Sequence, residues 1–185
     1  LSAAYYLRRM GYEVNIYEQN GAAGGALRYG IPEYRLPYDK LDKDVDFITS
    51  LGVNIHYNTK VGHDINFDAI YEKHDAVFIS TGLFEPYHIG VQGDDLPMVI
   101  SGLKVLADVT NQVPIELGNH VIVVGGGNVA MDAARTSRRL GSEVTVLYRR
   151  RLEDMPADKE EIDEAMEEGV RFIFQAVPTG IEALS

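Results

Sequence analysis

Hydrophobic and polar residues follow two spacings along the chain, one typical of amphipathic helices and the other of short strands. Helical spacing predicts helices at residues 1–10, 38–51, 67–73, 101–109 and 157–168, and one ending near residue 140. Apolar and β-branched runs predict strands at residues 13–17, 53–57, 59–61, 76–79, 121–124, 143–148 and 170–174. This alternation is typical of an α/β fold with parallel, helix-covered sheets.

A glycine-rich turn joins the apolar strand at 121–124 to the helix that follows it. Gly125, Gly127 and Ala130 match the pattern G-x-G-x-x-A, and another strand begins within about 30 residues. Glycines permit a tight turn and a close approach of pyrophosphate to the backbone, and the helix N-terminus offers free N–H groups to phosphates. The pattern predicts a dinucleotide site. The alternative is a tight turn in a parallel sheet that holds no ligand.

The strand after this turn ends in basic residues, at the position that selects between nicotinamide cofactors. An acid there would bind a ribose 2′-hydroxyl, whereas Arg149 and Arg150 suit a 2′-phosphate and favour NADP(H) over NAD(H). Six of the 17 basic residues lie between 135 and 151. In the alternative interpretation these arginines pair with the acidic segment 153–168, which fits the two at the strand end least well. We expect the acidic helix in that segment to be a solvated face.

The beginning of the chain has the features of an incomplete second site of the same kind. Glu18 follows the strand at 13–17, where the ribose-binding acid of a βαβ unit belongs, although an ordinary surface acid is the alternative. No N-cap residue, strand or glycine loop precedes the helix at 1–10. We therefore expect the chain to be an internal part of a longer protein.

Composition and charge exclude several classes of function. Seventeen basic and 28 acidic residues give a net charge of −11, which argues against binding to nucleic acid or to an anionic membrane. No apolar run approaches the roughly 20 residues of a membrane span. The absence of cysteine excludes thiolate metal sites and cysteine nucleophiles in these residues, and it favours a cytoplasmic location. The five histidines lack ligand spacing, so we predict no metal site.

The segment Gly24–Pro37, GGALRYGIPEYRLP, resembles the flavin-side motif of the glutamate synthase small subunit family, which includes the N-terminal reductase region of dihydropyrimidine dehydrogenase. Residues 79–82, 125–132, 148–150 and 155–157 fit the same family in order. The resemblance implies two Rossmann-like βαβ domains with parallel sheets. Residues 1–116 would form a partial FAD-binding domain without its first strand and glycine loop, and residues 117–185 would form a C-terminally truncated NADPH-binding domain.

The same resemblance implies an oxidoreductase that passes hydride from NADPH to FAD, and electrons onward to an iron–sulfur domain or a larger catalytic subunit. The family's cysteine-rich iron–sulfur region is absent from these residues, and we expect the isolated chain to be inactive. Hydride transfer needs positioning, so no catalytic acid or base is assigned. Two alternatives are a non-catalytic NADP(H)-binding module and a structural or assembly subunit.

The resemblance also assigns individual residues to the two cofactors. Glu18 would bind the FAD adenosine ribose, Arg35 would meet the FAD phosphates or ribityl chain, and Val61 would lie near the adenine. Gly24, Gly25 and Ala26 would bring backbone close to the flavin, and Thr81 and Gly82 would be the crossing back to the cofactor. The NADPH site comprises the turn at Gly125, the pyrophosphate-binding residues Gly126, Gly127, Asn128 and Val129, and the arginines Arg149 and Arg150.

Overall fold

The structure is a computed structural model that describes residues 1–85 and 88–183. The chain divides into two compact units. The N-terminal unit comprises residues 1–28 and 33–83, and the C-terminal unit comprises residues 29–32 and the chain from residue 84 onward. The boundary expected between residues 116 and 117 divides a FAD-binding part from an NADPH-binding part, and it stays a prediction.

From residue 102 onward the helices and strands alternate, as the hydrophobic pattern predicts, whereas two helices follow one another within residues 26–50 and within residues 67–110. In the first part of the chain they are α1 (Ser2–Arg9), β1 (Val14–Tyr17), α2 (Ala26–Tyr29), α3 (Tyr38–Ser50), β2 (Val53–His56) and α4 (Phe67–Tyr71). In the second part they are α5 (Gly102–Thr110), β3 (His120–Val124), α6 (Asn128–Arg139), β4 (Glu143–Tyr148), a 3₁₀ turn (Leu152–Asp154), α7 (Lys159–Glu167) and β5 (Arg171–Phe174). None of the helices in the described residues is long and apolar enough to cross a membrane.

The N-terminal unit is built on a two-stranded parallel sheet, in which Val14 of β1 lies opposite Val53 of β2. Its buried apolar cluster is small: Ala23, Leu41 and Val45, with Leu1 and Ile55 packed against it. Arg28 is buried and donates from Nε to the carbonyl of Ala23 at 2.7 Å, and it pairs with Asp42 of α3. These bonds attach the loop at residues 21–25 to α3.

Two predicted strands of this unit are wrong. Residues 76–79 form no strand, and the side chains of Phe78 and Ile79 are exposed. At residues 59–61 only Val61 makes an isolated parallel bridge, with Ile65. An apolar run becomes a strand when a neighbouring strand pairs with its backbone. Among the described residues of the unit, neither run has such a neighbour.

The C-terminal unit contains a parallel three-stranded sheet in the order β3-β4-β5, which confirms the predicted α/β class. Its core lies between this sheet and the helices α6 and α7, which supply the fully buried side chains of Met131, Ala134 and Ala165. Val144 and Val146 of β4 point into the same core, since alternate residues of a strand face the same side.

The expectation of a sheet covered by helices is wrong for one face of this unit. Val121 and Val123 pack against the core beneath α6 and α7, whereas Ile122 is 65% exposed and Val124 42% exposed. Ile173 of β5 is also exposed. Because α6 and α7 lie on the same side of the sheet, the alternate side chains on the other side have no helix among the described residues to cover them.

Candidate functional site

The glycine-rich turn after β3 holds three successive glycines for three different reasons. Gly125 has φ 145°, which an L side chain rarely adopts, and its N–H donates to Leu147 of β4 at 3.1 Å. A Cβ on Gly126 would lie 2.5 Å from the ring of Tyr148, so packing within the protein excludes a side chain there. A Cβ on Gly127, the N-cap of α6, would meet nothing within 4 Å. Open space therefore remains beside the start of α6.

The main-chain N–H groups around this turn are available to a ligand. Those of Gly126, Gly127, Asn128 and Val129 donate to no acceptor within the described part of the chain. The first N–H groups of a helix have no partner in the helix itself, and the helix dipole gives that end a partial positive charge. Four successive free amides at the end of a parallel strand form an arrangement that can accept phosphate oxygens.

The structure divides the six arginines of residues 135–151 into two groups. Four of them are engaged: Arg135 with Glu161, Glu164 and Glu168, Arg139 with Glu168, Arg151 with Glu153 and Asp154, and Arg138 with the carbonyls of Ser142 and Glu168. Arg149 and Arg150 are exposed, and their side chains make no hydrogen bond or ion pair within residues 1–85 and 88–183. Pairing with the acidic segment is thus confirmed for Arg135, Arg139 and Arg151, and it does not explain Arg149 or Arg150.

The two free arginines and the glycine-rich turn lie at one edge of the sheet. Val124 at the end of β3 is paired with Leu147 of β4, so the residues that follow both strands emerge side by side. The carbonyls of Tyr148 and Arg150 accept hydrogen bonds from Ala176 and Gln175, at 3.2 and 3.1 Å. The backbone that carries the arginines is therefore tied to the chain after β5.

Part of the helix expected to be a solvated acidic face is buried. Arg135 is 3% exposed, and its guanidinium donates to Glu161 at 2.7 Å and to Glu168 at 2.8 Å. A buried guanidinium requires carboxylate partners, which explains why Glu161 is also buried. Burial opposes ionisation of Glu168, but hydrogen bonds from Arg139 and Arg135 outweigh it and hold the pKa of this carboxyl below its ordinary value.

Both polar atoms of the Asn128 side chain are bonded to Asp158. Its Nδ2 donates to Asp158 Oδ2 at 3.0 Å, and its Oδ1 accepts from the main-chain N–H of Asp158 at 2.8 Å. Its main-chain N–H stays free among the described residues. Val129, the next residue of α6, is 42% exposed.

The flavin-side residues lie in the N-terminal unit, and the structure joins some of them. Glu18 follows β1, and its Oε1 accepts from the N–H of Asn20 at 2.8 Å. The main-chain N–H of Thr59 donates to the main-chain carbonyl of Glu18 at 2.8 Å. This bond brings the segment before the exposed Val61 to the end of β1.

The other flavin-side positions differ in how tightly they are held. Gly24 and Gly25 both have positive φ; a Cβ on Gly24 would lie 2.8 Å from Leu41, whereas a Cβ on Gly25 would meet nothing within 4 Å. Three further positions lie outside that turn: Ala26 at the start of α2, Arg35 between α2 and α3, and the exposed pair Thr81 and Gly82. No hydrogen bond among the described residues links Thr81 or Gly82 to Glu18.

Sequence reasoning missed three residues that shape these sites. Arg28 lies within the family motif, but its burial against α3 cannot be inferred from the motif. Tyr148 ends β4 and sets the steric limit at Gly126. Asp158 has the sequence signal of a helix N-cap, which conceals its bonds to Asn128.

Known proteins resemble this chain along nearly its whole length. The family model for pyridine nucleotide-disulphide oxidoreductases matches residues 1–185. The NADPH-Fe(3+) oxidoreductase subunit beta of Geobacter sulfurreducens is 43% identical, over 98% of this chain and 28% of its own length. The NADP(+)-dependent formate dehydrogenase subunit beta of Moorella thermoacetica is 46% identical, over 99% of this chain and 26% of its own length. The small chain of glutamate synthase [NADPH] from Azospirillum brasilense is 37% identical, over 97% of this chain and 40% of its own length.

Solved structures support the fold. FprA from Mycobacterium tuberculosis in complex with NADPH matches with a TM-score of 0.75 and 18% identity, over 99% of this chain and 58% of that protein. A 2-naphthoyl-CoA reductase matches with a TM-score of 0.78 and 21% identity, over 97% of this chain and 27% of that protein. The chain spans 26% to 40% of the length of the three curated relatives above. The predicted resemblance to glutamate synthase small chains is confirmed, and the chain belongs to the pyridine nucleotide-disulphide oxidoreductase family.

Proposed function

We propose that the chain is part of an NADPH-dependent, FAD-containing oxidoreductase. The C-terminal unit binds NADPH, and the N-terminal unit contributes to the FAD site. NADPH supplies a hydride, FAD accepts it, and the electrons continue to an iron–sulfur centre or a larger partner subunit. The relatives named as subunits of NADPH-linked enzymes support this proposal, as does membership of the family.

The observation that carries the proposal is the pair of arginines without partners, Arg149 and Arg150. They follow β4 beside the glycine-rich turn, while the other four arginines of residues 135–151 are bound to carboxylates or carbonyls. Exposed, unpaired guanidinium groups at the end of the second strand of a βαβ unit suit a 2′-phosphate on the adenosine ribose. A carboxylate at this position would repel the 2′-phosphate of NADPH, whereas a guanidinium attracts it.

The turn itself fits the pyrophosphate of the same cofactor. Four free N–H groups, from Gly126 to Val129, lie beside the open space at Gly127 and at the positive end of α6. The amides would hold the pyrophosphate while the arginines hold the adenosine end. Binding at two points fixes the direction of the cofactor along the sheet edge, which is the positioning that hydride transfer requires.

The flavin side is proposed from the family motif and from the geometry at the end of β1. Glu18 binds the adenosine ribose, the backbone of residues 24–26 approaches the cofactor, and Arg35 meets the phosphates or the ribityl chain. Val61 lies near the adenine, and residues 81–82 cross back to the cofactor. The half-buried Glu18 at the strand end and the open left-handed Gly25 support these roles. We also propose a cytoplasmic location, which suits a chain without cysteine.

Calorimetric titration of NADPH and NADH tests the proposal. Changing both Arg149 and Arg150 to Ala removes two charge-assisted hydrogen bonds, so we expect NADPH affinity to fall by about 10²-fold. NADH affinity should be nearly unchanged, because NADH lacks the 2′-phosphate. The preference for NADPH should also shrink at high salt, since the site is exposed. The matched control is Arg171→Ala. It removes an exposed arginine at the beginning of β5, whereas the site lies where the strands end, and it should leave both affinities unchanged.

Two results would contradict parts of the proposal. Equal loss of affinity for both cofactors in the double variant would mean that the arginines support the fold or the pyrophosphate. Tight NADPH binding in a longer protein that carries no flavin, read from its visible absorbance, would favour the non-catalytic NADP(H)-binding module.

A further inference from the structure

The segment before α7 is bonded to the glycine-rich turn at several points. The main-chain N–H of Ala157 donates to the carbonyl of Gly126 at 3.1 Å. Asp158 and Asn128 exchange two hydrogen bonds, at 3.0 and 2.8 Å. Tyr148, whose ring lies against Gly126, donates from its hydroxyl to the carbonyl of Asp154 at 2.7 Å. The turn is thus held by residues about 30 positions further along the chain, and these bonds leave its free amides unused.

The side chain of Asp158 bonds to Asn128 and does not cap its own helix. It is the N-cap residue of α7, a position where aspartate commonly accepts a hydrogen bond from the first turn of its own helix. Its side chain makes no such bond and turns to Asn128. A residue that departs from a favourable local pattern without a packing reason is often found where a functional site needs it.

The hydrogen bonds to Asp158 involve the side chain of Asn128 and leave its main-chain N–H free. Both polar atoms of its side chain are used by Asp158, while its main-chain N–H and those of Gly127 and Val129 stay free. Fixing the side chain at the first position of α6 fixes the direction of these amides before any phosphate arrives. Prior alignment of donors raises affinity because less order has to be created on binding.

We propose that Asp158 is a positioning residue for the pyrophosphate site, acting through Asn128 on the free amides of the glycine-rich turn. This inference rests on the proposed NADPH function of that turn. Asp158 touches no cofactor atom in this role. It determines how tightly the pyrophosphate end binds, independently of the adenosine end held by Arg149 and Arg150.

Two probes separate the ends of the cofactor. NADPH uses both the turn and the arginines, whereas 2′-AMP carries only the adenosine 2′-phosphate. Asp158→Ala should lower NADPH affinity by about five- to tenfold, the loss expected for the one side-chain hydrogen bond that it removes, and leave 2′-AMP affinity unchanged. Asp158→Asn retains an oxygen acceptor and the main-chain N–H, so it should restore NADPH affinity. Asp163→Ala, an exposed aspartate of the same helix, is the matched control.

A double-variant cycle and hydrogen exchange complete the test. Asn128→Ala with Asp158→Ala should bind NADPH no more weakly than Asn128→Ala alone, because Asn128→Ala already removes both hydrogen bonds between the two residues. In the protein without nucleotide, amides of residues 126–129 should exchange faster in Asp158→Ala than in Asp163→Ala.

Each other outcome overturns the inference in a recognisable way. Wild-type NADPH affinity in Asp158→Ala would overturn it while leaving the proposed function intact. Equal loss of NADPH and 2′-AMP affinity with a lower thermal midpoint would show a general structural role for Asp158. A wild-type protein that binds neither probe would overturn the proposed function itself, and the inference with it.

Discussion

Gly126 and Gly127 are adjacent, yet a side chain would meet different surroundings at the two positions. The position of a Cβ on Gly126 is already taken by the ring of Tyr148, a buried residue of β4. Gly127 has φ −93° and ψ 175°, an extended conformation open to any residue, and empty space lies beside it. The first glycine therefore serves the packing of the protein, and the second leaves room for a ligand.

Alanine at each position should separate these two roles. We expect Gly126→Ala to lower the free energy of unfolding by about 1–3 kcal/mol, because the methyl group overpacks against Tyr148. Gly127→Ala should leave the free energy of unfolding nearly unchanged and weaken NADPH binding, because the methyl group occupies the space proposed for the pyrophosphate. Chemical denaturation and calorimetric titration measure the two effects. Loss of stability in Gly127→Ala alone would contradict this assignment.

At the scale of elements, the packing of α6 against α7 depends on charge as well as on apolar contact. Arg135 is buried in α6 and binds carboxylates of α7 and of Glu168 directly after it. Arg139 adds a more exposed pair to the same Glu168. Removing one partner of a buried pair leaves an uncompensated charge, so the group acts as a unit that specifies how the two helices meet.

This group predicts a pH dependence of stability. The pKa of Glu168 is lowered in the folded protein from 4.5, so its contribution is present above pH 4.5 and is lost as pH falls through the folded pKa. We expect Glu168→Gln to lower the free energy of unfolding at neutral pH. The difference from wild type should shrink as the pH falls below 4.5.

Denaturation of wild type, Glu168→Gln and Glu167→Gln across this pH range is the measurement. Glu167 is the exposed neighbour and makes no ion pair among the described residues, so its variant should follow wild type. A constant difference between Glu168→Gln and wild type at every pH would show that ionisation of Glu168 does not stabilise the fold.

At the scale of the whole molecule, the two units differ in the size of their sheets and cores. Among its described residues, the C-terminal unit has three paired strands and four residues with no exposed surface: Met131, Ala134, Val146 and Ala165. The N-terminal unit has two paired strands and a buried cluster of three residues. Local stability follows buried apolar contact and protected backbone hydrogen bonds.

Hydrogen exchange of the chain should reveal this difference. We expect amides of residues 118–176 to be better protected than those of residues 1–80, with the slowest exchange in β4, the central strand of its sheet. Residues 76–79 should exchange fast, since they have no paired neighbour among the described residues. Mass spectrometry of peptides after timed exchange provides the measurement, and equal protection of the two regions would contradict the prediction.

The elements that sequence predicted well are those whose signal is local. Helical spacing, the strand at 121–124 and the glycine-rich turn depend on residues close together in the chain, because they follow from backbone geometry and side-chain periodicity. The family motif adds residue assignments on the flavin side, and these stay predictions. The same locality explains why residues 76–79 were wrongly predicted as a strand: an apolar run carries no information on whether another strand lies beside it.

Sequence by itself therefore determined the α/β class, the position of the glycine-rich turn after β3 and the basic residues after β4. Only the tertiary structure decided which of six arginines remain available, because an ion pair depends on what folds against each guanidinium. It also decided that the side chain of Asn128 is hydrogen-bonded to Asp158, and that the ring of Tyr148 leaves no room for a side chain at Gly126. These relations join residues some 20 to 30 positions apart on different elements. Such contacts arise only when the strands pair and the helices pack, and no spacing along the chain encodes them.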